Sequence, residues 1–179
     1  MKFLLASDLH GSAFYAEKLK ELFELEKADK LVLLGDIYNH GPRNPLPKDY
    51  APMKVAEILN SLKQKLIVIK GNCDSQVDTL ISEFSFIEDL VIVSGGKTVF
   101  CTHGHVFNKD KMPQTHFDAV VYGHFHTGFI ENVNGRIIAN TGSTSLPKNN
   151  TANSFMVLDE SELSLIDIES GNIITKTNI

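Results

Sequence analysis

The sequence predicts an α/β fold with α+β character toward its C-terminal end: two sheets packed face to face, with helices outside. Three observations predict it. Short apolar runs alternate with amphipathic helical patterns through the first two thirds, which implies parallel strands joined by crossover helices. From Phe86 onward, short runs are separated by Gly95-Gly96, Asn134-Gly135 and Gly171-Asn172, which signal hairpins and a mostly antiparallel part. The length, 179 residues, suits one domain over residues 1–179.

Lys2–Ser7 reads as a buried strand. Phe14 to Lys27 carries Phe14, Leu19, Leu22 and Phe23 near a 3.6 period and reads as a helix, with Ser12 as N-cap. Lys30–Leu34 is a second strand. Ile37 to Pro52, rich in Pro, Gly and Asn, is a long loop. Met53 to Gln64 is a second helix, with Val55, Ile58, Leu59 and Leu62 on one face. Leu66–Lys70 is a third strand and Ser75–Glu83 a short helix. Leu90–Ser94, Thr98–Thr102, Ala119–Tyr122, Phe129–Val133, Arg136–Ala139, Phe155–Leu158, Leu163–Ile168 and Ile173–Lys176 complete the strands.

Composition excludes several classes. Lys+Arg 17 against Asp+Glu 22 gives a net charge of -5, which argues against a general nucleic-acid binder. A hydrophobic fraction of 42% excludes global disorder. No apolar run approaches the ~20 residues that span a bilayer. Asp8 and His10 interrupt the apolar start too early for a signal peptide, so a cytoplasmic chain is expected. Cys73 and Cys101 make no disulfide framework. The C-terminal strands leave an edge that could serve self-association into a homo-oligomer.

The polar residues at the ends of the apolar runs are more informative. The runs lead into Asp8-Leu9-His10-Gly11, Gly35-Asp36, Gly71-Asn72-Cys73-Asp74, His103-Gly104-His105, Gly123-His124-Phe125-His126 and Asn140-Thr141-Gly142-Ser143. Sites in open α/β sheets form outside the carboxyl ends of strands, so neighbouring strands would bring these donors to one rim. In extended backbone the spacing of Asp8-x-His10 and His124-x-His126 puts both side chains on one side. His40 and His116 read as structural, and Asn140-Thr141-Gly142-Ser143 as shaping the rim. Phe107, Phe125 and Phe129 read as core rather than as pocket lining.

Two carboxylates, one amide oxygen and four imidazoles, with no need for thiolate, suit Mn, Fe, Zn, Ni or Co rather than a Cys-type structural zinc site. Seven ligands exceed one ion and suit two if a carboxylate bridges. Asp36, central in order and alone on its turn, is the natural bridge. One ion then takes Asp8, His10, Asp36 and His126; the other takes Asp36, Asn72, His103 and His124. With a bridging hydroxide the centre keeps a charge of about +1, which favours a phosphate anion. Two such ions would acidify the shared water for attack on phosphorus and stabilise the charge that builds there.

In this order, Asp8-x-His10, Gly35-Asp36, Gly71-Asn72-Cys73-Asp74, His103-Gly104-His105 and Gly123-His124-x-His126 resemble the signature of the calcineurin-like metallophosphoesterases. Asn39-His40-Gly41-Pro42-Arg43-Asn44 and the Gly-Asn-Cys-Asp turn resemble the YfcE-type phosphodiesterases among them. The likeness runs from Lys2 to about Pro147. It implies a four-layer α-β-β-α sandwich of two mixed sheets, a dinuclear site often best supported by Mn2+, and hydrolysis of a small phosphodiester. Cys73 stands where many members have a catalytic His, which leaves His105 as a candidate acid or as a group orienting His103. Arg43, and less so Asn39, are candidates to bind the substrate phosphate. The alternatives are a phosphomonoesterase, a cyclic-nucleotide phosphodiesterase, or a non-catalytic scaffold resembling a retromer subunit.

Overall fold

The continuous apolar runs become strands buried on both faces. The computed structural model describes residues 1–179. In chain order the elements are β1 (Lys2–Ala6), α1 (Ala13–Leu25), β2 (Lys30–Leu33), α2 (Pro52–Ser61), β3 (Leu66–Ile69) and β4 (Phe86–Ile87). β5 (Leu90–Ser94), β6 (Lys97–Cys101), β7 (Ala119–Tyr122), β8 (Phe129–Val133) and β9 (Arg136–Asn140) come next. β10 (Ser154–Asp159), β11 (Glu162–Asp167) and β12 (Ile173–Asn178) close the chain. No helix is long and apolar enough to cross a membrane.

One sheet has the order β12-β11-β10-β1-β2-β3-β4 and the other β5-β6-β7-β9-β8. In the first, β1 to β4 are parallel and β10 to β12 extend it antiparallel beside β1. In the second, β6, β7 and β9 are parallel, and only the edge strands β5 and β8 are antiparallel. The expectation of a mostly antiparallel later part is therefore corrected at the centre of this sheet. Hairpin turns mark which strands are consecutive. They do not show that β9 returns between β7 and β8, and that return makes β7 and β9 parallel.

The two-residue alternation of each strand sorts the core. Leu4, Ala6, Leu31, Leu33 and Val68 face α1 and α2 with Leu19, Phe23, Val55 and Leu59. Phe3, Leu5, Val32, Leu34 and Ile69 face the other sheet and meet Val99, Cys101, Val121 and Ala139. Both sheets are mixed, as expected. Their fourth, outer layer is a helix-free segment between β6 and β7, which covers Phe100, Val120, Tyr122 and Ile138 with Phe107, Met112 and Phe117. Phe129 packs there too, as expected for a core aromatic. The short helix expected over Ser75–Glu83 is a 3-10 helix at Gln76–Leu80, opened by a Ser75–Asp78 capping box. The two-residue β4 had no periodicity to betray it.

Ser12 ties α1 to the long loop before α2. Its Oγ accepts from Tyr15 N at 3.3 Å and donates to Lys48 O at 2.5 Å. Ser12→Ala should therefore cost about 1–2 kcal/mol, read as a lower urea midpoint with an unchanged slope.

Candidate metal centre

The parallel strands of both sheets deliver their C-terminal ends to one rim. Asp8 follows β1, Asp36 follows β2 and Asn72 follows β3. His103 follows β6, His124 and His126 follow β7, and Asn140 ends β9. Backbone bonds lace the turns together: His10 N donates to Asp36 O, Gly123 N to His103 O, and Thr144 N to Ser7 O.

The convergence is not the extended spacing that the sequence suggested. Asp8, His10, Asp36, His124 and His126 all have φ between 51° and 66°. Left-handed turns, rather than strand alternation, aim these side chains at the rim. Non-glycine residues in that region carry strain of about 1–3 kcal/mol each, and such strain gathers at functional sites. Two glycines make room for the turns. A Cβ on Gly35 would lie 2.7 Å from His103 Nδ1. One on Gly123 would overlap Ser7 Oγ and lie 2.6 Å from Asp8 Oδ2.

Three groups of donors lie close enough to share a cation: Asp8, His10 and His126; His10, Asp36 and Cys73; Asp36, His103 and His124. Within each group the atoms lie within 4.8 Å of one another. Asp8 Oδ1 is 3.2 Å from His126 Nε2 and 3.6 Å from His10 Nε2. Asp36 turns Oδ2 toward His10 Nε2 at 3.8 Å and Oδ1 toward His103 Nε2 at 3.5 Å. Asn72 Oδ1 lies 3.1 Å and His124 Nδ1 3.3 Å from His103 Nε2.

The surroundings fit divalent cations. The Nδ1 atoms of His10, His103 and His126 lie 2.7, 2.7 and 2.6 Å from the carbonyls of Asn39, Leu34 and Leu146. A carbonyl can only accept, so each Nδ1 carries a proton and each neutral ring turns an Nε2 lone pair to the rim. His10 Nε2 and His126 Nε2 then face each other at 3.1 Å, an arrangement that needs a cation or an extra proton between them. Asp8 Oδ1 is buried and has no hydrogen-bond partner, the orphaned acceptor that a bound cation satisfies.

Protons compete with metal for that place. Burial pushes the His103 imidazole down, but Asp36 and Asp8 outweigh it and raise it to about 9. Burial would raise the Asp8 carboxyl, yet His10, His126 and His103 hold it well below the usual carboxylate range. Burial, then the His103 charge, pushes His124 down to about 4. Burial, then Asp36, pushes the Cys73 thiol up to about 12, so it stays protonated.

Residues outside the donor set brace it. Asp74 accepts from the N–H groups of Asp36, Ile37 and Gly71 at 2.8, 2.8 and 2.7 Å, while its burial pushes the carboxyl up to about 6. Ser143 Oγ and Ser145 Oγ donate to Asp8 O, and Asn140 Nδ2 to Gly123 O.

A cleft of about 560 Å3 opens over the rim and is lined by Asp36, Asn72, His124, His126, Arg43 and Asn39 together with Cys73, Phe125 and Lys148. Asn39 also serves through its backbone, which orients His10. His105 is exposed, its ring centroid 5.3 Å from that of His103 and 6.3 Å from that of His124, and it lines a polar recess with Lys70, Asn72 and Glu88. Leu34 O takes the His103 Nδ1 proton, so the hydrogen bond that orients His103 comes from the backbone and His105 meets it only ring to ring. Phe125 is 45% exposed on the cleft rather than in the core. Lys148 carried no signal in the sequence that set it apart from other loop lysines. The backbone carbonyls that orient the imidazoles leave no trace in residue type.

The calcineurin-like phosphoesterase superfamily domain matches residues 1–163. The chain belongs to this family. It is 41% identical to phosphodiesterase YfcE of Escherichia coli K12 over all of this chain and 98% of the relative. A solved structure of Yfce, a phosphoesterase from E. coli, superposes with a TM-score of 0.95 at 40% identity, covering 100% of both chains. Vps29 of Entamoeba histolytica in complex with Zn2+ matches at TM-score 0.68 and 20% identity, covering 99% of each chain, a likeness of fold alone. Membership implies divalent metal ions, and the donor groups at the rim are where this chain would hold them.

Because His103 holds a proton up to about pH 9, loading Mn2+ at pH 7 should release protons, and apparent affinity should rise with pH from 7 to 9. Calorimetry in two buffers of different ionisation enthalpy measures the release. Gly123→Ala should force the two sheets' turns apart and lower both the unfolding midpoint and the Mn2+ affinity.

Proposed function

We propose that this chain is a phosphodiesterase that works with two divalent cations sharing Asp36. The observation that carries this reading is the placement of Asp36, whose two oxygens face two separate donor groups. Asp8, His10, Asp36 and His126 would hold one cation, and Asp36, Asn72, His103 and His124 the other. The mixed oxygen and imidazole set suits Mn2+, Ni2+, Zn2+, Fe2+ or Co2+ alike, and Mn2+ comes first on the family resemblance alone. Bound there, such ions supply Lewis acidity, acidifying a water and drawing electron density from phosphoryl oxygens.

The chain's own residues set the rest. The carbonyls behind His10, His103 and His126 fix ring orientation, so the donors are arranged before substrate arrives. Arg43, in the loop after Asp36, presents a guanidinium for an anionic substrate oxygen, and Asn39 lines the same cleft. In the reaction a water oxygen bonds to phosphorus, one ester P–O bond breaks, and the leaving alkoxide takes a proton. Cys73, with a thiol raised to about 12, keeps its proton too tightly to be an efficient donor. Burial, then the His103 charge, lowers the His105 imidazole, and His105 remains the candidate for the proton donor. Esters with good leaving groups, which need no acid, should react fastest.

Metal-stripped protein should be inactive on bis-p-nitrophenyl phosphate and regain turnover with added Mn2+, faster than on p-nitrophenyl phosphate. Asp36→Asn and His124→Ala should each lower that turnover by more than about 100-fold, since even outer partners of metal ligands are worth 10–100-fold. A faster monoester reaction would identify a phosphomonoesterase. Metal-loaded protein inert to both esters and to a cyclic nucleotide would point to a binding scaffold.

A further inference from the structure

The cleft holds more positive charge than a simple diester requires. Two divalent cations on Asp8 and Asp36 would leave the centre positive enough to neutralise a diester's single charge unaided. Yet Arg43 and Lys148 line the same cleft, and neither has a carboxylate within ion-pair distance. The protein as a whole is acidic, with 22 Asp and Glu. Elsewhere Lys2, Lys18, Lys63, Lys109 and Lys176 have a glutamate partner and Lys97 has Asp118, while other surface cations such as Lys20, Lys54 and Arg136 have none, so what sets Arg43 and Lys148 apart is their place in the cleft. Asp36, already placed among the metal ligands, is the only carboxylate lining this cleft.

Lys148 also stands on a fixed base. Its N–H donates to His126 O at 2.8 Å, and its carbonyl accepts from Thr151 N at 3.0 Å and Thr151 Oγ1 at 2.8 Å. The His126 backbone thus anchors the residue that carries the free ammonium. Arg43 approaches from the loop after Asp36, between Gly41-Pro42 and Asn44, whose Nδ2 bonds His40 O at 2.8 Å. Two cations on separate loops open to one cleft and lack counter-ions, which adds positive charge to that of the metal centre.

We propose that Arg43 and Lys148 bind a second phosphate group, so that the substrates are phosphodiesters carrying an additional terminal phosphate. The inference rests on the phosphodiesterase reading above and names the substrate class for the same cleft. Arg43 offers a planar, bidentate fork to the second phosphate, and Lys148 a mobile point charge.

The test is calorimetric. Manganese-loaded protein is titrated with adenosine 5′-monophosphate and with adenosine 3′,5′-bisphosphate, which differ by one phosphate. The bisphosphate should bind about tenfold more tightly, the gain expected of charge-assisted bonds from two solvent-accessible cations. Arg43→Met with Lys148→Met should bring the two affinities together, and Lys148→Arg should retain the preference. Equal affinities in the unaltered protein, or a preference that survives the double substitution, would overturn the proposal. So would a double variant that weakens both ligands equally, since the cations would then hold only the phosphate at the metal centre. Protein inert to bis-p-nitrophenyl phosphate that keeps the preference would sink the phosphodiesterase reading alone and leave the second-phosphate site standing.

Discussion

One buried carboxylate joins the two sheets, and the site depends on it. Asp8 follows the first strand of one sheet, and its Oδ2 accepts the backbone N–H of His124 from the other at 2.8 Å. Its carbonyl accepts the hydroxyls of Ser143 and Ser145. Its remaining carboxylate oxygen has no partner in the protein and points at His10 and His126. A hydrogen bond to a charged group is worth about 1.5–3 kcal/mol, and here it also fixes where one sheet's ligands meet the other's. The glycine at 123 is a consequence of this contact, because no side chain fits between the β7 turn and Ser7-Asp8.

From that joint outward, the protein's own hydrogen bonds arrange the rim. Five donor residues sit in left-handed backbone, held there by bonds between neighbouring turns. Three imidazoles are locked from behind by carbonyls. The strain in the turns is offset by the two hydrophobic layers beneath, where nearly every strand residue of β1, β2 and β7 is buried. The same architecture occurs in Vps29 at 20% identity. A fold does not by itself fix an activity, which depends on the donor atoms and the cleft.

Charge is divided between surface and site. The acidic chain pairs some surface lysines with glutamates and leaves Arg43 and Lys148 unpaired on the cleft. A net negative chain and a cleft faced by two unpaired cations are compatible in one molecule. The field at the cleft is set by a few near groups, while distant surface charges are screened.

The longer strands, both helices and all seven candidate donors are legible in the amino-acid order. Apolar runs, glycines and turn residues are local signals, and a donor after each run is visible without knowing where the runs go. Ser12 as a cap and Asn140-Thr141-Gly142-Ser143 as part of the rim are local signals of the same kind. The return of β9 between β7 and β8, which makes that sheet's centre parallel, is a matter of long-range pairing and emerges only in the folded chain. So do the left-handed turns behind Asp8-x-His10, because φ at an Asp or His depends on bonds to a distant loop. Packing likewise puts Lys148 and Phe125 on the cleft, and Leu34 O behind His103. Those roles belong to position and to backbone atoms, which every residue type shares, so no pattern of side chains announces them.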